Sequence, residues 1–197
     1  MKFKLFETEI YVSFLFVAVL VFMLITDRTG LILPTLFAVA VHELGHLFAM
    51  WLTECAPSSV RLIPASVQIV RRFSMKTHSE AVIALCGPLC NIAVFASFGL
   101  HYLVFGGDNT LRFALLNLIL GIFNLLPVRG LDGGTVLLIA LEKRIDEYAA
   151  ERAVRLLTLS FALAVCIIGI ITAFKGRFNI SVFIAALYLA ITALMKR

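Results

Sequence analysis

The sequence predicts an all-α polytopic membrane protein of about six transmembrane helices. Three observations predict it. The chain is 61% hydrophobic over 197 residues with mean hydropathy +1.03, well above the half-apolar composition of soluble domains. Six apolar runs have roughly the length that crosses a hydrocarbon core. Lysine and arginine fall unevenly between the loops that separate them. The polar stretches are loop-sized, and no linker or low-complexity tract breaks the chain. One integral-membrane domain over residues 1–197 is therefore expected, with Met1 read as the start of a complete chain.

Lys2 and Lys4 precede the first run, residues 10–26. The polar turn "ITDRTG" follows instead of a small-residue cleavage site, so the run is read as an uncleaved helix. The second run is 31–52. The loop after it, residues 59–72, is rich in β-branched residues and broken at Pro64. It reads as a short β-hairpin or, equally, a plain loop. The third run is 81–105. The fourth, 111–126, is short and passes directly into "PVRGLDGG", a break that membranes tolerate only when it lines a cavity or is covered by protein. Residues 142–155 are charged and helix-prone. Ile145, Tyr148, Ala149 and Val154 there could lie against lipid headgroups, or the segment could be a solvated connector. The last two runs are 156–174 and 180–195.

With the N-terminus inside, the inner segments hold thirteen Lys and Arg residues and the outer ones four. The bias places both termini in the cytoplasm. Runs two and four then both end on the cytoplasmic side. The net charge of +5 fits this asymmetry better than nucleic-acid binding, for which no basic-aromatic surface stands out. Cys55, Cys86, Cys90 and Cys166 lie mostly in apolar segments and read as small hydrophobes. Cys86 and Cys90 alone do not make a four-ligand metal site.

The second run contains "VHELGHLFAM", two histidines and a glutamate in a segment where ionisable groups are costly. His42 and His46 are four apart, so a helix stacks them on one face, where both imidazoles can grip one Zn²⁺. Glu43 lies beside them, where it can hold and deprotonate a water that the metal activates. For this composition a chance HExxH has an expectation of about 0.003, so a pair of ordinary core histidines is disfavoured. Catalytic zinc usually has three protein ligands and one open position. His78, His101, Glu54 and Glu80 are available, but Asp132 is the strongest third candidate. It sits at the broken end of the fourth run, among Gly130, Gly133 and Gly134, whose backbone freedom could aim its carboxylate.

"HELGH", then "GPLCN" at residues 87–91, then "NLLPVRGLDGG" with its Asp 86 residues after His46, resembles the site-2 protease family of intramembrane zinc metalloproteases. The resemblance covers about residues 31–140, the expected core. The six-run plan is most similar to the bacterial branch that processes a sporulation sigma-factor precursor, without that branch's C-terminal regulatory domain. It implies one Zn²⁺ per chain held by His42, His46 and Asp132, with Glu43 as general base. Asn124 would lie near the substrate carbonyl and aid the oxyanion. Asn91 and Pro127 would shape the core. The implied setting is a bacterial cytoplasmic membrane, with the active site towards the cytoplasm.

The expected activity is hydrolysis of peptide bonds in or near transmembrane segments of membrane-embedded substrates, such as a sigma-factor precursor or an anti-sigma factor. An inhibitory membrane partner is also expected. A helical substrate must unwind before water can reach its peptide bonds. A strand edge carrying Val67 and Ile69 could hold the unwound segment by β-augmentation. The rival reading is a metal-ion transporter whose His/Asp site serves transit and has no need of Glu43.

Overall fold

The computed structural model describes residues 2–5, 8–55, 57–63, 66–71, 77–176 and 179–194. They fall into two compact units, Met1–Ile122 and Phe123–Arg197.

The first unit opens with strands β1 (Lys2–Leu5) and β2 (Thr8–Val12), followed by helices α1 (Phe14–Thr26) and α2 (Ile32–Leu52). Strands β3 (Pro57–Ile63) and β4 (Ser66–Arg71) come next, then α3 (Thr77–Phe105) and α4 (Asp108–Asn124). The strands form one sheet in the order β1-β2-β3-β4. β1 pairs antiparallel with β2, β2 parallel with β3, and β3 antiparallel with β4. The parallel pair is reached through α1 and α2, which supply the crossover such a pair requires. This sheet revises the all-α expectation at the N-terminus. Ile10 to Val12 belong to β2, and α1 has 13 residues. β-branched apolar residues raise a hydropathy window whatever backbone they adopt. What selects the strand is pairing with β3, about fifty residues away. The Pro64–Ala65 break lies outside the described residues.

The turn between α1 and α2 is built on Asp27. Its Oδ1 accepts from Thr29 N and Oγ1 at 2.8 Å and from Gly30 N at 3.0 Å, and its Oδ2 accepts from Ile32 N at 3.0 Å. These donors, Ile32 N first and the Thr29 hydroxyl next, hold its carboxyl below the usual carboxylate range. Gly30, at φ +68°, supplies the left-handed residue that closes the turn.

α2 buries Ala38, His42, Gly45, His46 and Ala49, the i, i+4, i+7, i+8 stripe of one helical face. Leu33, Phe37, Leu44, Phe48 and Trp51 are exposed, as a lipid-facing side requires. The buried stripe packs on α3, where a Cβ on Gly45 would lie 2.8 Å from the Cys86 carbonyl oxygen and 2.9 Å from Cys90 Sγ. The two helices therefore meet backbone to backbone, as small residues permit in membranes. Cys86 and Cys90 are free thiols lining this seam. α4 joins α3 through an edge-on Phe98–Phe113 pair with centroids 4.9 Å apart.

The second unit comprises α5 (Asp132–Glu142), α6 (Glu147–Phe174) and α7 (Ile180–Leu194). The connector that the sequence left between headgroup contact and solvent forms the first turns of α6. Asp146 caps them, accepting from Tyr148 N at 3.3 Å and Ala149 N at 3.0 Å. Ile145, Tyr148 and Ala149 are exposed. Val154, expected against headgroups, is instead buried with Leu138 and Ala150 between α5 and α6.

Ile32–Leu52, Ser79–Phe105 and Glu147–Phe174 are each long and apolar enough to cross a membrane. At 1.5 Å per residue, 21 residues in α2 give about 31 Å, the thickness of a hydrocarbon core. Phe14–Thr26 and Val182–Leu194 are shorter apolar helices. The chain is an integral membrane protein.

Candidate metal centre

His42 and His46 are both buried on α2, and their rings stand edge to face with centroids 4.7 Å apart. Each Nδ1 meets an oxygen. That of His46 donates to the Ile83 carbonyl at 2.8 Å, and that of His42 donates to Asn91 Oδ1 at 2.8 Å. Ile83 lies one turn before Pro88 in α3. Proline has no N–H and disturbs the turn that precedes it, and in this stretch a carbonyl turns to a side chain of another helix.

The Asn91 amide has one orientation available. Its Nδ2 donates to the Ala38 carbonyl and to Asn117 Oδ1, both at 2.9 Å. A flipped amide would set oxygen against oxygen at Ala38. Asn91 Oδ1 is therefore an acceptor, and His42 Nδ1 carries a proton. By the same logic His46 Nδ1 carries a proton and donates it to the Ile83 carbonyl. The two Nε2 atoms face each other 3.1 Å apart. A tetrahedral zinc with bonds of about 2.0–2.1 Å would set its two nitrogens about 3.3 Å apart. The pair fits a metal, and each ligand is oriented through its far nitrogen, as metal-bound histidines generally are.

The fit extends to α3. A Cβ on Gly87 would lie 2.5 Å from His46 Cε1 and Nε2 and 3.0 Å from His42 Cε1. The imidazoles occupy the space that any side chain at Gly87 would need.

Asp132 begins α5, in the second unit. A carboxylate in the first helical turn is favoured by the helix dipole. α4 ends at Asn124, and a run of turns follows. Leu126 N donates to Phe123 O at 3.1 Å, Val128 N to Leu126 O at 2.7 Å and Leu131 N to Val128 O at 3.1 Å. Gly130, at φ +90°, needs glycine's freedom. Gly133 and Gly134 do not, which corrects the reason assigned to them. They are helical residues of α5 packed against the loop's own backbone, and a Cβ there would overlap the Leu125 and Val128 carbonyls respectively. Thr158 of α6 ties the loop down, accepting from Arg129 N at 2.8 Å while donating to the Val154 carbonyl at 2.8 Å. Asp132 itself is half-buried.

The other expected residues fall as follows. Glu43 is half-buried next to His42, and Asn124 and Pro127 are half-buried at the end of α4 and in the turn after it. Val67 and Ile69 lie in β4 opposite Leu62 and Val60; their side chains fall outside the described residues. The sequence reading missed Asn117 and Thr158, both fully buried. The available signal was a lone polar side chain inside an apolar run, "ALLNLIL" and "RLLTLSF", which in a membrane helix calls for a partner.

Residues 105–169 match the model of peptidase family M50. Over 174 residues the chain is 28% identical to stage IV sporulation protein FB of Bacillus subtilis, covering 86% of this chain and 59% of that protein. It is 24% identical over 174 residues to a protein of Methanocaldococcus jannaschii named zinc metalloprotease, covering 83% of this chain and 51% of that one. The chain thus spans little more than half the length of these relatives. The solved structure of a site-2 protease from Methanocaldococcus jannaschii shares the fold, with a TM-score of 0.71 at 23% identity over 98% of this chain and 93% of that one. The transporter reading is not favoured by these matches. By these matches the chain is similar to peptidase family M50 over residues 105–169 and has the fold of a site-2 protease.

Proposed function

We propose that the chain is an intramembrane zinc endopeptidase, a single membrane domain that cuts peptide bonds in or near transmembrane segments of membrane-bound substrates. The observation that carries this reading is the buried histidine pair, whose Nδ1 protons are committed to oxygen and whose Nε2 atoms face each other at 3.1 Å. His42, His46 and Asp132 would hold one Zn²⁺ per chain. When bound, zinc supplies Lewis-acid activation of a water and of the scissile carbonyl. Glu43 takes the proton from the attacking water and passes it to the leaving amine. Asn124 donates its amide N–H to the developing oxyanion, and Pro127 shapes the turn between Asn124 and Asp132.

A substrate helix must expose its backbone before attack. The place of β4 at the end of the strand order supports a role for this edge, with Val67 and Ile69, in holding an unwound segment by β-augmentation. Proline at Val67 or Ile69 is expected to lower cleavage and leave zinc content unchanged; undiminished cleavage removes this part of the reading.

Six spans are proposed, α1 to α4 with α6 and α7, in a bacterial cytoplasmic membrane. The thirteen-to-four bias in Lys and Arg supports cytoplasmic termini and a cytoplasm-facing site. A sigma-factor precursor or an anti-sigma factor is the proposed substrate, supported by the resemblance and by one relative's name as a sporulation protein. An inhibitory membrane partner would regulate it. The metal reading is tested by elemental analysis of purified protein. One zinc per chain, lost in both His42→Ala and Asp132→Ala, is expected. Full zinc in either variant overturns it.

A further inference from the structure

Arg129, Tyr148, Glu151, Arg152 and Arg155 line a recess of about 30 Å³ within the second unit. Tyr148, Glu151, Arg152 and Arg155 follow the i, i+3, i+4, i+7 spacing of one face of α6. Arg129 comes from the loop before α5, which Thr158 of α6 holds by accepting from Arg129 N at 2.8 Å. Two elements thus bring three cations and one carboxylate together. Glu151 and Arg155 have the spacing at which glutamate pairs with arginine on a helix, yet among the described residues no ion pair joins Glu151 to any of the three arginines. Three cations against one carboxylate leave two positive charges uncompensated. The depth of the recess follows from α6. Its 28 residues measure about 42 Å, against about 30 Å of hydrocarbon. Its charged residues, Glu147, Glu151, Arg152 and Arg155, all precede the apolar residues 156–174, which by themselves span about 28 Å. The recess therefore lies at headgroup depth, where the exposed Tyr148 ring is also favoured.

We propose that this recess binds a phosphate group, with the half-buried Arg129 and Arg155 as its main ligands and the exposed Arg152 at its rim. The guanidinium fork matches two phosphate oxygens at once and keeps its charge at any physiological pH. A water-sized group needs about 10–15 Å³ of such space, so the recess has room for the two oxygens that a fork engages. Basic pockets at this depth suit the headgroups of anionic lipids, and a soluble phosphate offers the same chemistry. A phosphate held there bridges the Arg129 loop to α6, beside the bond from Arg129 N to Thr158. The proposal stands independently of the metalloprotease reading.

The test uses the full-length protein in neutral detergent. Phosphatidylglycerol, an anionic phosphodiester lipid, is counted by native mass spectrometry, with zwitterionic phosphatidylcholine as its control. Radiolabelled inorganic phosphate, followed by equilibrium dialysis, is the soluble arm. Tight binding of at least one of the two anionic probes is expected. Arg129→Gln and Arg155→Gln should each weaken it about 10-fold or more, the effect of losing a charge-assisted hydrogen bond. Arg155→Lys keeps the charge without the fork and should weaken it as well. Arg144→Gln removes an exposed charge outside the recess and should cost at most about fivefold, the general attraction of a basic residue to an anionic surface. Lipid that inorganic phosphate does not displace assigns the site to a headgroup; phosphate binding with the same arginine dependence assigns it to a soluble phosphate. Arg152→Gln replaces Arg129→Gln if that variant fails to fold. The proposal is overturned if neither probe binds above the phosphatidylcholine level, or if the recess variants bind at full strength. It is equally overturned if Arg144→Gln weakens binding as much as they do.

Discussion

Replacing Gly87 with alanine should damage the metal centre by a single methyl group. The added Cβ would lie 2.5 Å from His46 Cε1 and Nε2 and 3.0 Å from His42 Cε1, where ordinary contact begins near 3.4 Å. One imidazole or the α3 backbone must therefore move by about 1 Å. Overpacking of this kind costs about 1–3 kcal/mol. Alanine's better helix propensity offsets about 0.5–1 kcal/mol of that, so a net destabilisation of up to about 2.5 kcal/mol is expected. The functional effect should be larger, because a 1 Å misplacement of reacting groups costs about 10²-fold in rate. The unfolding midpoint in detergent measures the first effect, and zinc per chain with the cleavage rate measures the second. Gly99→Ala is the control on the same helix: its nearest neighbour would be Phe95 Cε2 at 3.9 Å, so zinc content should not change and stability should hold or rise. A Gly87→Ala protein with full zinc and wild-type stability would refute the packing account of this site.

Two further predictions concern the loop that leads to Asp132. Thr158→Val keeps the side chain's shape and removes the hydroxyl that accepts from Arg129 N; leaving that N–H without its acceptor should cost about 1–3 kcal/mol, read from unfolding in detergent, and an unchanged midpoint would discount the bond. Gly134→Ala should impair zinc retention more than Gly130→Ala. The first drives a Cβ into the Val128 carbonyl, whereas the second strains one residue at φ +90°, worth about 1–3 kcal/mol; the reverse order would show that the turn, not the close packing of α5, sets the position of Asp132.

The proposed centre could be read from the sequence because metal chemistry restricts both residue type and spacing. Two histidines one helical turn apart with an adjacent glutamate have few other uses in an apolar segment, and the break at "PVRGLDGG" marked Asp132. The supporting residues were not legible in this way. Asn117 and Thr158 are single polar side chains whose partners lie on other elements, Asn91 on α3 and Arg129 N in the loop before α5. No local spacing encodes those contacts. Gly87 was visible as part of "GPLCN", yet its role depends on the distance between two helices. The long helices were found from hydropathy, while their ends were displaced. α6 begins at Glu147 because Asp146 caps it, and hydropathy does not register a cap. The N-terminal strands failed for a different reason, since the neighbour of β2, β3, lies beyond α1 and α2 in the chain.

The central claim is that a buried His42–His46 pair serves hydrolysis with Glu43 as its base. The most direct measurement compares wild type with Glu43→Gln, each co-expressed with candidate single-span membrane proteins. Zinc is quantified in both enzymes, and product termini are read by mass spectrometry. The account predicts equal zinc and cleavage by the wild type alone. Cleavage at the same bond by Glu43→Gln, at the wild-type rate, would contradict it.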